Sequence, residues 1–477
     1  MIRKGTSALD ERTGVGPMLV KALRYPFPEN WTFLLGEIAL YSFIILVLTG
    51  IYLTFFFQPS LHTTVYHGSY SPLQGATVTD AYGSTVHLSL DVRAGLLVRQ
   101  THHWAALVFI AAITLHLMRI FFTGAFRKPR ELNYVIGLTM LTLAILEGFF
   151  GYSLPDDLLS GMGLAIAYSV AMSIPVIGED LARWFWGGQF PGSHTVESRM
   201  YVIHVLLIPG ILGLLIAVHL ALIMVLHHTQ FAGPGRRERN VVGLVAWPSY
   251  ALRSIGLFFA VTAVLFALGG LVQINPIWQY GPYEPWVGTN GVQPDWYMGW
   301  LIGALRLMPN FEPTIGGYTI PNPFWGGVLF PMVTFGILYV WPWAERWVSG
   351  DRREHHLLQR PRDNPWRTAI GAALFTWVVV PFVAGSSDRI FVTFDIPYPR
   401  QVDVLRAAWW LLPPVVFVLT FTVCRHLRDT EVRPLRGWTG RVVARTPQGG
   451  FAEPAGADGG TPTVSPPLPE GRSGGTP

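Results

Sequence analysis

Long apolar stretches alternate with polar loops through most of this 477-residue chain. A helix needs about 20 mainly apolar residues to cross a bilayer, and eight stretches approach that length. They lie near residues 31–57, 99–122, 134–154, 200–226, 253–272, 324–343, 368–383 and 407–424. Such runs are too long and too continuous for the strands of a membrane barrel. The pattern therefore predicts an all-α fold, a polytopic membrane bundle with eight transmembrane helices.

Composition agrees with a membrane protein and narrows the chemistry. Hydrophobic residues make up 51% of the chain and charged residues 13%, against about 25% charged in a typical soluble domain. The single cysteine, Cys424, excludes a disulfide framework, a cysteine-ligated zinc or iron–sulfur centre within this chain, and a haem attached through CxxCH. Any bound metal is therefore expected to be held by His, Met or carboxylate side chains.

Basic residues are divided unevenly between the two sets of loops. With the N-terminus placed in the cytoplasm, the cytoplasmic loops and the N-terminal arm carry eighteen Lys and Arg residues, and the four opposite loops carry seven. This asymmetry follows the positive-inside rule. It predicts a multi-pass protein of the cell (plasma) membrane with both termini cytoplasmic, and the net charge of +5 is then no sign of nucleic-acid binding. The outside loops 58–98, 155–199 and 273–323 are long, as functional loops often are.

Four histidines recur at nearly equal intervals within the second and fourth predicted spans. His102 and His116 are fourteen residues apart, and His204 and His219 are fifteen apart. At about 100° per residue, both intervals return close to the starting face of a helix, about 21 Å along its axis. Because these two spans run in the same direction, His102 is predicted to face His204 near the outer surface. His116 is predicted to face His219 near the inner surface.

Paired imidazoles on two levels suit two stacked iron porphyrins, each with two axial histidine ligands. Intramembrane histidines also serve as interhelical hydrogen-bond donors or as members of a proton path. The matched register of all four on parallel helices favours haem. We therefore predict two haems between helices 2 and 4, with His102 and His204 binding the outer haem iron and His116 and His219 binding the inner one.

Glycine spacing repeats the histidine spacing on the flanking helices. Gly36 and Gly50 on the first span are fourteen residues apart, as are Gly137 and Gly151 on the third. Glycine lets a large flat ligand approach a helix backbone, although a single pair more often indicates helix packing. The same interval on two helices favours clearance for haem.

Two arginines lie close to the histidines of the second span. Arg99 precedes His102 by three residues, and Arg119 follows His116 by three. Each guanidinium is expected either to bind haem propionates or to reach the membrane interface as a snorkelling side chain.

These features together resemble cytochrome b, the di-haem core subunit of the cytochrome bc1 and b6f family of quinol oxidoreductases. The resemblance covers about residues 30–425 and includes GYSLP at 151–155 and PDWY at 294–297. The family usually has PEWY, so Asp295 stands where glutamate is common. The unsplit chain, the PDWY motif and the extended tail are most similar to the actinobacterial cytochrome bcc type, a menaquinol:cytochrome c reductase.

The resemblance implies four parts of the chain. These are a cytoplasmic N-terminal arm (1–30), a four-helix di-haem domain (31–230), a four-helix C-terminal domain with the PDWY loop (231–425) and a cytoplasmic, largely disordered tail (426–477).

Cofactors and sites are also implied by the resemblance. We expect two non-covalent b-type haems and a quinol, menaquinol by the closer similarity. An inner quinone site is expected near His227 and His228. Asp295 and Tyr297 are the expected catalytic residues, with Asp295 as proton acceptor, a role that suits a carboxylate in an apolar cleft. The outer quinol site is expected to comprise Gly151, Tyr152, Pro155, Pro294, Asp295, Trp296 and Tyr297.

The resemblance also implies partner subunits, and two other functions stay open. The family implies a Rieske iron–sulfur subunit, a c-type cytochrome subunit, membrane lipid, a homodimer of the complex and a supercomplex with a terminal oxidase. Electron transfer through the two haems would then contribute to the proton-motive force. Two other functions stay open: the di-haem quinone-reducing membrane anchor of another oxidoreductase, and a haem-free proton-coupled transporter. The first leaves the second set of four helices and PDWY without a role, and the second leaves the glycine intervals without one.

Overall fold

The computed structural model describes residues 15–193, 195–288 and 293–430, and two short strands beyond them. Within these residues eight helices are long and apolar enough to cross a membrane, which confirms the predicted all-α bundle. They are labelled α1 to α8 in chain order. Their bounds are Trp31–Thr54, Gly95–Thr123, Glu131–Ser153, Thr195–Leu226, Ala246–Leu271, Trp325–Ser349, Pro365–Gly385 and Tyr398–Asp429.

Four of these helices extend well beyond the predicted apolar runs. Helix α4 begins at Thr195 rather than near residue 200, α5 begins at Ala246 rather than near 253, α6 ends at Ser349 rather than near 343, and α8 covers Tyr398–Asp429 rather than 407–424. Backbone hydrogen bonding continues into polar residues outside the hydrocarbon layer, and hydropathy does not mark that part of a helix. Residues 1–14 of the predicted N-terminal arm, and most of the predicted disordered tail, lie outside the described residues.

Shorter helices occupy the segments around the spans. They are too short to cross a bilayer, so the hydropathy pattern left them unassigned. They are Val15–Leu23, Asp80–Leu90, Leu158–Met172, Gly178–Trp186, Ile277–Tyr280, Trp296–Leu307 and Ser387–Phe394.

Strands are limited to short pairs that fasten loops together. Pro26–Phe27 pairs with Leu244–Val245, Thr63–Val65 with Thr77–Thr79, and Thr314–Ile315 with Tyr318–Thr319, all antiparallel; Gln230–Phe231 runs parallel to Leu357–Leu358. A further antiparallel pair joins Ala444–Arg445 to Phe451–Ala452 within the C-terminal region.

Helix packing brings the PDWY segment to the first four helices. Helices α1, α2 and α5 pack together, and α3 packs on α2, α4 and α6. The helix Trp296–Leu307 packs along α7, which in turn packs along α8. Tyr297, at the start of that helix, lies in an apolar cluster with Phe109 of α2 and Leu141 of α3. The second half of the chain thus contributes directly to the core around the histidines.

The two ends of the bundle are called the His102 end and the His116 end, after the histidines of α2. At the His116 end a buried arginine joins α6, α7 and the loop between them. Arg367 is 1% exposed and donates through Nε to Glu345 Oε2 (2.8 Å) and through Nη2 to Gln359 Oε1 (2.7 Å). Its guanidinium also lies over the Phe126 ring, 5.4 Å from the centroid. Breaking one side of such a buried pair leaves the other charge uncompensated.

Arg367→Met is expected to destabilise the folded chain by about 3–5 kcal/mol, because Glu345 would keep a buried charge without its partner. The measurement is the thermal unfolding temperature of the purified chain in detergent. Arg353→Met breaks an exposed pair with Asp351 and is the matched control, with little expected effect. Equal shifts in the two variants would contradict the anchoring role of Arg367.

Candidate functional site

The structure brings the histidines of α2 and α4 together as the sequence predicts. The rings of His102 and His204 have centroids 6.2 Å apart and planes at 78°. His116 and His219 lie close enough to interact electrostatically, nearer the other end of the same two helices. The two helices therefore run in the same direction and carry facing imidazoles at two levels.

A π-helical turn explains why α4 needs one residue more than α2. Residues Ile203–Leu207 form this turn, and the Ile208 amide donates to the Ile203 carbonyl, five residues back. Such a turn accommodates one extra residue relative to a regular helix. Fifteen residues on α4 therefore cover about the same rotation as fourteen on α2. His204 lies inside the turn, and His219 keeps the matching face.

Each of the four glycines predicted to give clearance lies beside one of the four imidazoles. A Cβ at Gly36 would be 3.2 Å from Cε1 of His116, and one at Gly50 would be 3.2 Å from Cε1 of His102. On α3 the corresponding distances are 2.4 Å from Gly151 to His204 and 3.7 Å from Gly137 to His219. Each glycine therefore adjoins an imidazole of the pair between which a flat ligand is predicted.

Neighbouring side chains set the protonation of the imidazoles at the His102 end. The Thr49 hydroxyl donates to the Ile45 carbonyl (2.6 Å), so its oxygen accepts from Nδ1–H of His102 (2.9 Å). Nδ1 of His204 lies 2.8 Å from Oε1 of Glu147. A proton on Nδ1 leaves Nε2 with a free lone pair, which is the form of histidine that binds a metal. Neither Thr49 nor Glu147 was among the predicted site residues.

Unsatisfied polar atoms gather at the His116 end. Nδ1 of His116, Nδ1 of His219 and Nε of Arg119 are buried and have no hydrogen-bond partner among the described residues. Arg119 also lies over the Phe33 ring, 4.3 Å from its centroid. Buried polar groups normally have partners, so this end of the pair is suited to a polar ligand.

Arg99 has partners within the protein at the opposite end. It is 8% exposed, and its Nη2 donates to the Asn275 carbonyl (2.8 Å). It also interacts electrostatically with the carboxyl group of Asp157, a residue that was not among the predicted site residues. Arg99 nonetheless lines the same cavity as His102 and His204.

That cavity, of about 260 Å³, joins the His102 pair to most of the predicted quinol residues. Its lining includes Gly151, Tyr152, Pro155, Asp295 and Tyr297 of the predicted set. Trp296 is instead 37% exposed and packs edge-on against Tyr297. Pro294 precedes the helix Trp296–Leu307.

Asp295 is held by two side chains inside the cavity. Nε2 of His103 lies 2.8 Å from Oδ1 and 3.0 Å from Oδ2 of Asp295, and the Tyr297 hydroxyl donates to Oδ2 (3.2 Å). Burial, together with the Asp295 charge, raises the pKa of Tyr297 well above its usual value, so the phenol stays a hydrogen-bond donor. His103 was missed because the adjacent His102 accounted for the histidine pattern.

The histidines predicted for an inner quinone site follow directly after α4. Nδ1 of His227 lies 3.3 Å from the Tyr25 hydroxyl, and the His227 carbonyl accepts from Arg130. Nε2 of His228 is buried without a partner among the described residues. Burial and the charges of Arg130 and Arg119 lower the pKa of His228 to about 4. At neutral pH this imidazole is therefore uncharged and offers one N–H group.

A carboxylate on α1 was also missed by the sequence analysis. Oε1 of Glu37 accepts from the Tyr250 hydroxyl (2.6 Å), and Oε2 accepts from the Ser254 hydroxyl (2.5 Å) and the Tyr41 hydroxyl (3.3 Å). It follows Gly36, the residue beside His116. An acidic residue within an apolar span is itself a functional signal, and Glu37 and Glu147 both give that signal.

Comparison with known proteins identifies the family. Residues 107–282 match the family described as cytochrome b(N-terminal)/b6/petB. The cytochrome bc1 complex cytochrome b subunit of Streptomyces coelicolor is 46% identical over 447 residues, covering 93% of this chain and 82% of the relative. The subunits of the same name from Mycobacterium leprae and Corynebacterium diphtheriae are 47% and 44% identical, with 93% of this chain covered in each case.

The chain belongs to the cytochrome b family of cytochrome bc1 complexes. A chain of a hyperthermophilic respiratory Complex III has the same fold, with a TM-score of 0.65 and 19% identity over 87% of this chain and 99% of that one. The predicted resemblance and the eight-helix membrane fold are thereby confirmed.

The residues of this cytochrome b fit a planar iron-containing group between each histidine pair. Metal–imidazole bonds are about 2.0 Å long, so two imidazoles on opposite sides of one metal ion have ring centres about 6 Å apart. The His102–His204 separation of 6.2 Å agrees with that geometry. Near the other pair, the unpartnered Nε of Arg119 would suit an acidic substituent of the group.

Gly151→Ala is expected to reduce haem content in this cytochrome b, whereas Gly210→Ala, at an exposed glycine of α4, is expected to leave it unchanged. The new methyl group would overlap the His204 ring at position 151 but meet nothing within 4 Å at position 210. The measurement is b-type haem per purified chain, by pyridine haemochrome and reduced-minus-oxidised spectra. Equal haem content in the two variants would show that the glycine at 151 does not protect the position of the His204 ring.

Proposed function

We propose that this chain is the di-haem cytochrome b subunit of a quinol:cytochrome c oxidoreductase. In this proposal a quinol, menaquinol by the similarity to the actinobacterial subunits, is oxidised in the cavity at the His102 end. Electrons then cross the bilayer to a quinone site at the His116 end and contribute to the proton-motive force. When bound, the two b-type haems supply one-electron relay centres, one at each histidine pair.

The observation that carries this proposal is the pair of facing histidines at each of two levels on parallel helices. His102 with His204, and His116 with His219, span much of the membrane thickness, and their intervals correspond to about 21 Å along the helix. A proton relay does not need two imidazoles face to face with a glycine behind each of the four. The haem-free transporter is therefore the weaker proposal.

The oxidation site is proposed in the cavity that contains Asp295. Quinol oxidation releases two protons and two electrons, so the site needs a proton acceptor close to the quinol hydroxyl. Asp295 suits that role because contacts with His103 and Tyr297 hold both of its carboxylate oxygens in place. His103 and Tyr297 orient the acceptor, and most of the cavity lining around it is apolar.

The quinone-reducing site is proposed near His227 and His228, after α4. The unpartnered Nε2 of His228 can hydrogen-bond a quinone oxygen in this site. Arg119 and Arg130 lie near enough to affect His228 and would stabilise negative charge that develops there.

Orientation, domains and partners are part of the same proposal. The His102 end faces outward and both termini are cytoplasmic, in accord with the distribution of basic residues. The di-haem domain is 31–230, and 231–425 supplies the PDWY segment. The relatives are subunits of a cytochrome bc1 complex. We therefore propose a Rieske iron–sulfur subunit and a c-type cytochrome subunit as partners, in a homodimeric complex that joins a terminal oxidase.

Pyridine haemochrome analysis of the purified chain is expected to give two b-type haems. His116→Ala and His204→Ala should each lose haem from one pair, because one of the two histidines that would hold that haem is removed. His87→Ala, an exposed histidine paired with Asp91, is the control and should retain both haems. A colourless wild-type chain, or haem retained in full by both variants, would reject the di-haem proposal and favour the transporter.

Asp295→Asn is expected to lower quinol:cytochrome c reductase turnover by about 100-fold, since a positioned proton acceptor contributes about 10²–10⁴ in rate. The asparagine amide cannot accept the quinol proton, yet it keeps the size of the side chain. Turnover is measured on the intact complex, with haem content as a check of integrity. The control is Glu284→Gln, an exposed acidic residue in the same loop. Normal turnover in Asp295→Asn would place the proton acceptor elsewhere.

A further inference from the structure

Two consecutive aspartates follow the GYSLP segment and have no place in the proposed chemistry so far. Asp157 is fully buried, and its Oδ2 caps the helix Leu158–Met172 by accepting from the Leu159 amide (3.2 Å). A cap needs only one carboxylate oxygen. Oδ1 of Asp157 has no hydrogen-bond partner among the described residues. Helix capping therefore accounts for only one of the two carboxylate oxygens of Asp157.

Asp156 links this buried group to the surface. Its Oδ2 accepts from the Thr79 hydroxyl (2.8 Å), and its side chain is partly exposed. Asp156 and Asp157 lie close enough to interact electrostatically. Glu197, at the start of α4, is 1% exposed, has an unpartnered Oε1 and interacts with Asp156 in the same way.

Tyr152 links the two aspartates to the cavity. It lines the cavity with Asp295, is 9% exposed, and its hydroxyl has no hydrogen-bond partner within the part of the chain that the structure describes. That hydroxyl lies within electrostatic reach of both Asp295 and Asp157. Tyr152 is therefore within electrostatic reach of both the proposed proton acceptor and the buried aspartate.

Burial, against the attraction of Arg99, leaves the carboxyl groups of this cluster easy to protonate. Arg99 is the cation that faces Asp157, and the phenols of Tyr82 and Tyr280 face it from other elements. Tyr283 faces Asp156. Burial raises the pKa of Asp156 to about 7 and that of Asp157 to about 6, against the partial compensation of their hydrogen bonds. Both groups can thus gain and lose a proton near neutral pH.

A metal ion is a poorer fit than a proton. Among the described residues, no group of three or more His, Cys, Asp or Glu side chains is arranged to hold a metal ion.

We propose that Tyr152, Asp157 and Asp156 form the route by which protons leave the quinol cavity, with Glu197 beside its outer end. The inference rests on the proposed quinol oxidation at Asp295. A proton released to Asp295 passes by way of Tyr152 to the free oxygen of Asp157, then to Asp156 and water. Only protons move along this route, so each carboxyl group ends a cycle in the state in which it began.

The test is turnover of the intact complex with Asp157→Asn, Asp156→Asn and Asp157→Glu. Asparagine caps a helix as well as aspartate does, so Asp157→Asn removes the proton acceptor and keeps the cap. We expect turnover to fall by about tenfold or more in Asp157→Asn, below the full contribution of a positioned acceptor. KM for quinol and haem content should stay unchanged, and Asp157→Glu should recover most of the rate. Asp180→Asn, an exposed acidic residue on a nearby surface helix, is the control.

The pH profile separates proton transfer from a structural role. Asp156 and Asp157 accept protons only when ionised, so wild-type turnover should fall as the pH drops from about 7 to about 6. In the double variant Asp156→Asn/Asp157→Asn that decrease should be absent and the residual rate nearly constant.

Three results would overturn the route. They are wild-type turnover with a wild-type pH profile in Asp157→Asn, loss of haem in that variant, and a raised KM without a change in kcat. Failure of the underlying proposal looks different: Asp295→Asn would then be fully active, or the wild-type complex would oxidise no quinol. Loss of activity in Asp295→Asn together with full activity in Asp157→Asn would reject the route alone.

Discussion

The site depends on one constraint: a polar ring inside an apolar helix bundle needs a partner for each of its nitrogens. At the His102 end, side chains on α1 and α3 provide a partner for one nitrogen of each ring. Thr49 of α1 hydrogen-bonds Nδ1 of His102, and Glu147 of α3 pairs with Nδ1 of His204. The other nitrogens are then free to bind a ligand between α2 and α4. Helices α1 and α3 are thus required both for packing and for the chemistry of the pair.

The fold could be predicted from the sequence because one property, the hydropathy of a run of about 20 residues, identifies a membrane span. Eight apolar runs became eight helices, and their polar ends were misplaced because hydropathy stops at the interface while backbone hydrogen bonding continues. The short helices between spans were not predicted. Gly178–Trp186, for example, is nine residues long and has a polar and an apolar face, a pattern that a span search passes over.

The candidate site was predicted in part, and the missing parts share a cause. Histidine spacing located both pairs, since periodicity determines which residues share a helix face. Glu147, Glu37 and His103 are visible in the sequence, as two acidic residues within apolar spans and a second histidine beside His102. Their partners from elsewhere in the chain could not be predicted, because sequence spacing carries no information about contacts between helices. The glycine intervals were noticed for the right reason, close approach. That each glycine adjoins an imidazole could be found only from the coordinates.

The π-helical turn at His204 bears on how repeated histidines are recognised in sequences. If α2 were aligned with α4, the alignment would need a gap of one position, and that gap would fall beside a histidine. The helix absorbs the additional residue locally as a bulge, so neither imidazole leaves its face. Spacing measured in residues is therefore a less dependable guide to such pairs than spacing measured in turns. A helix can lengthen by one residue at this point while the distance between its two histidines, in space, stays almost the same.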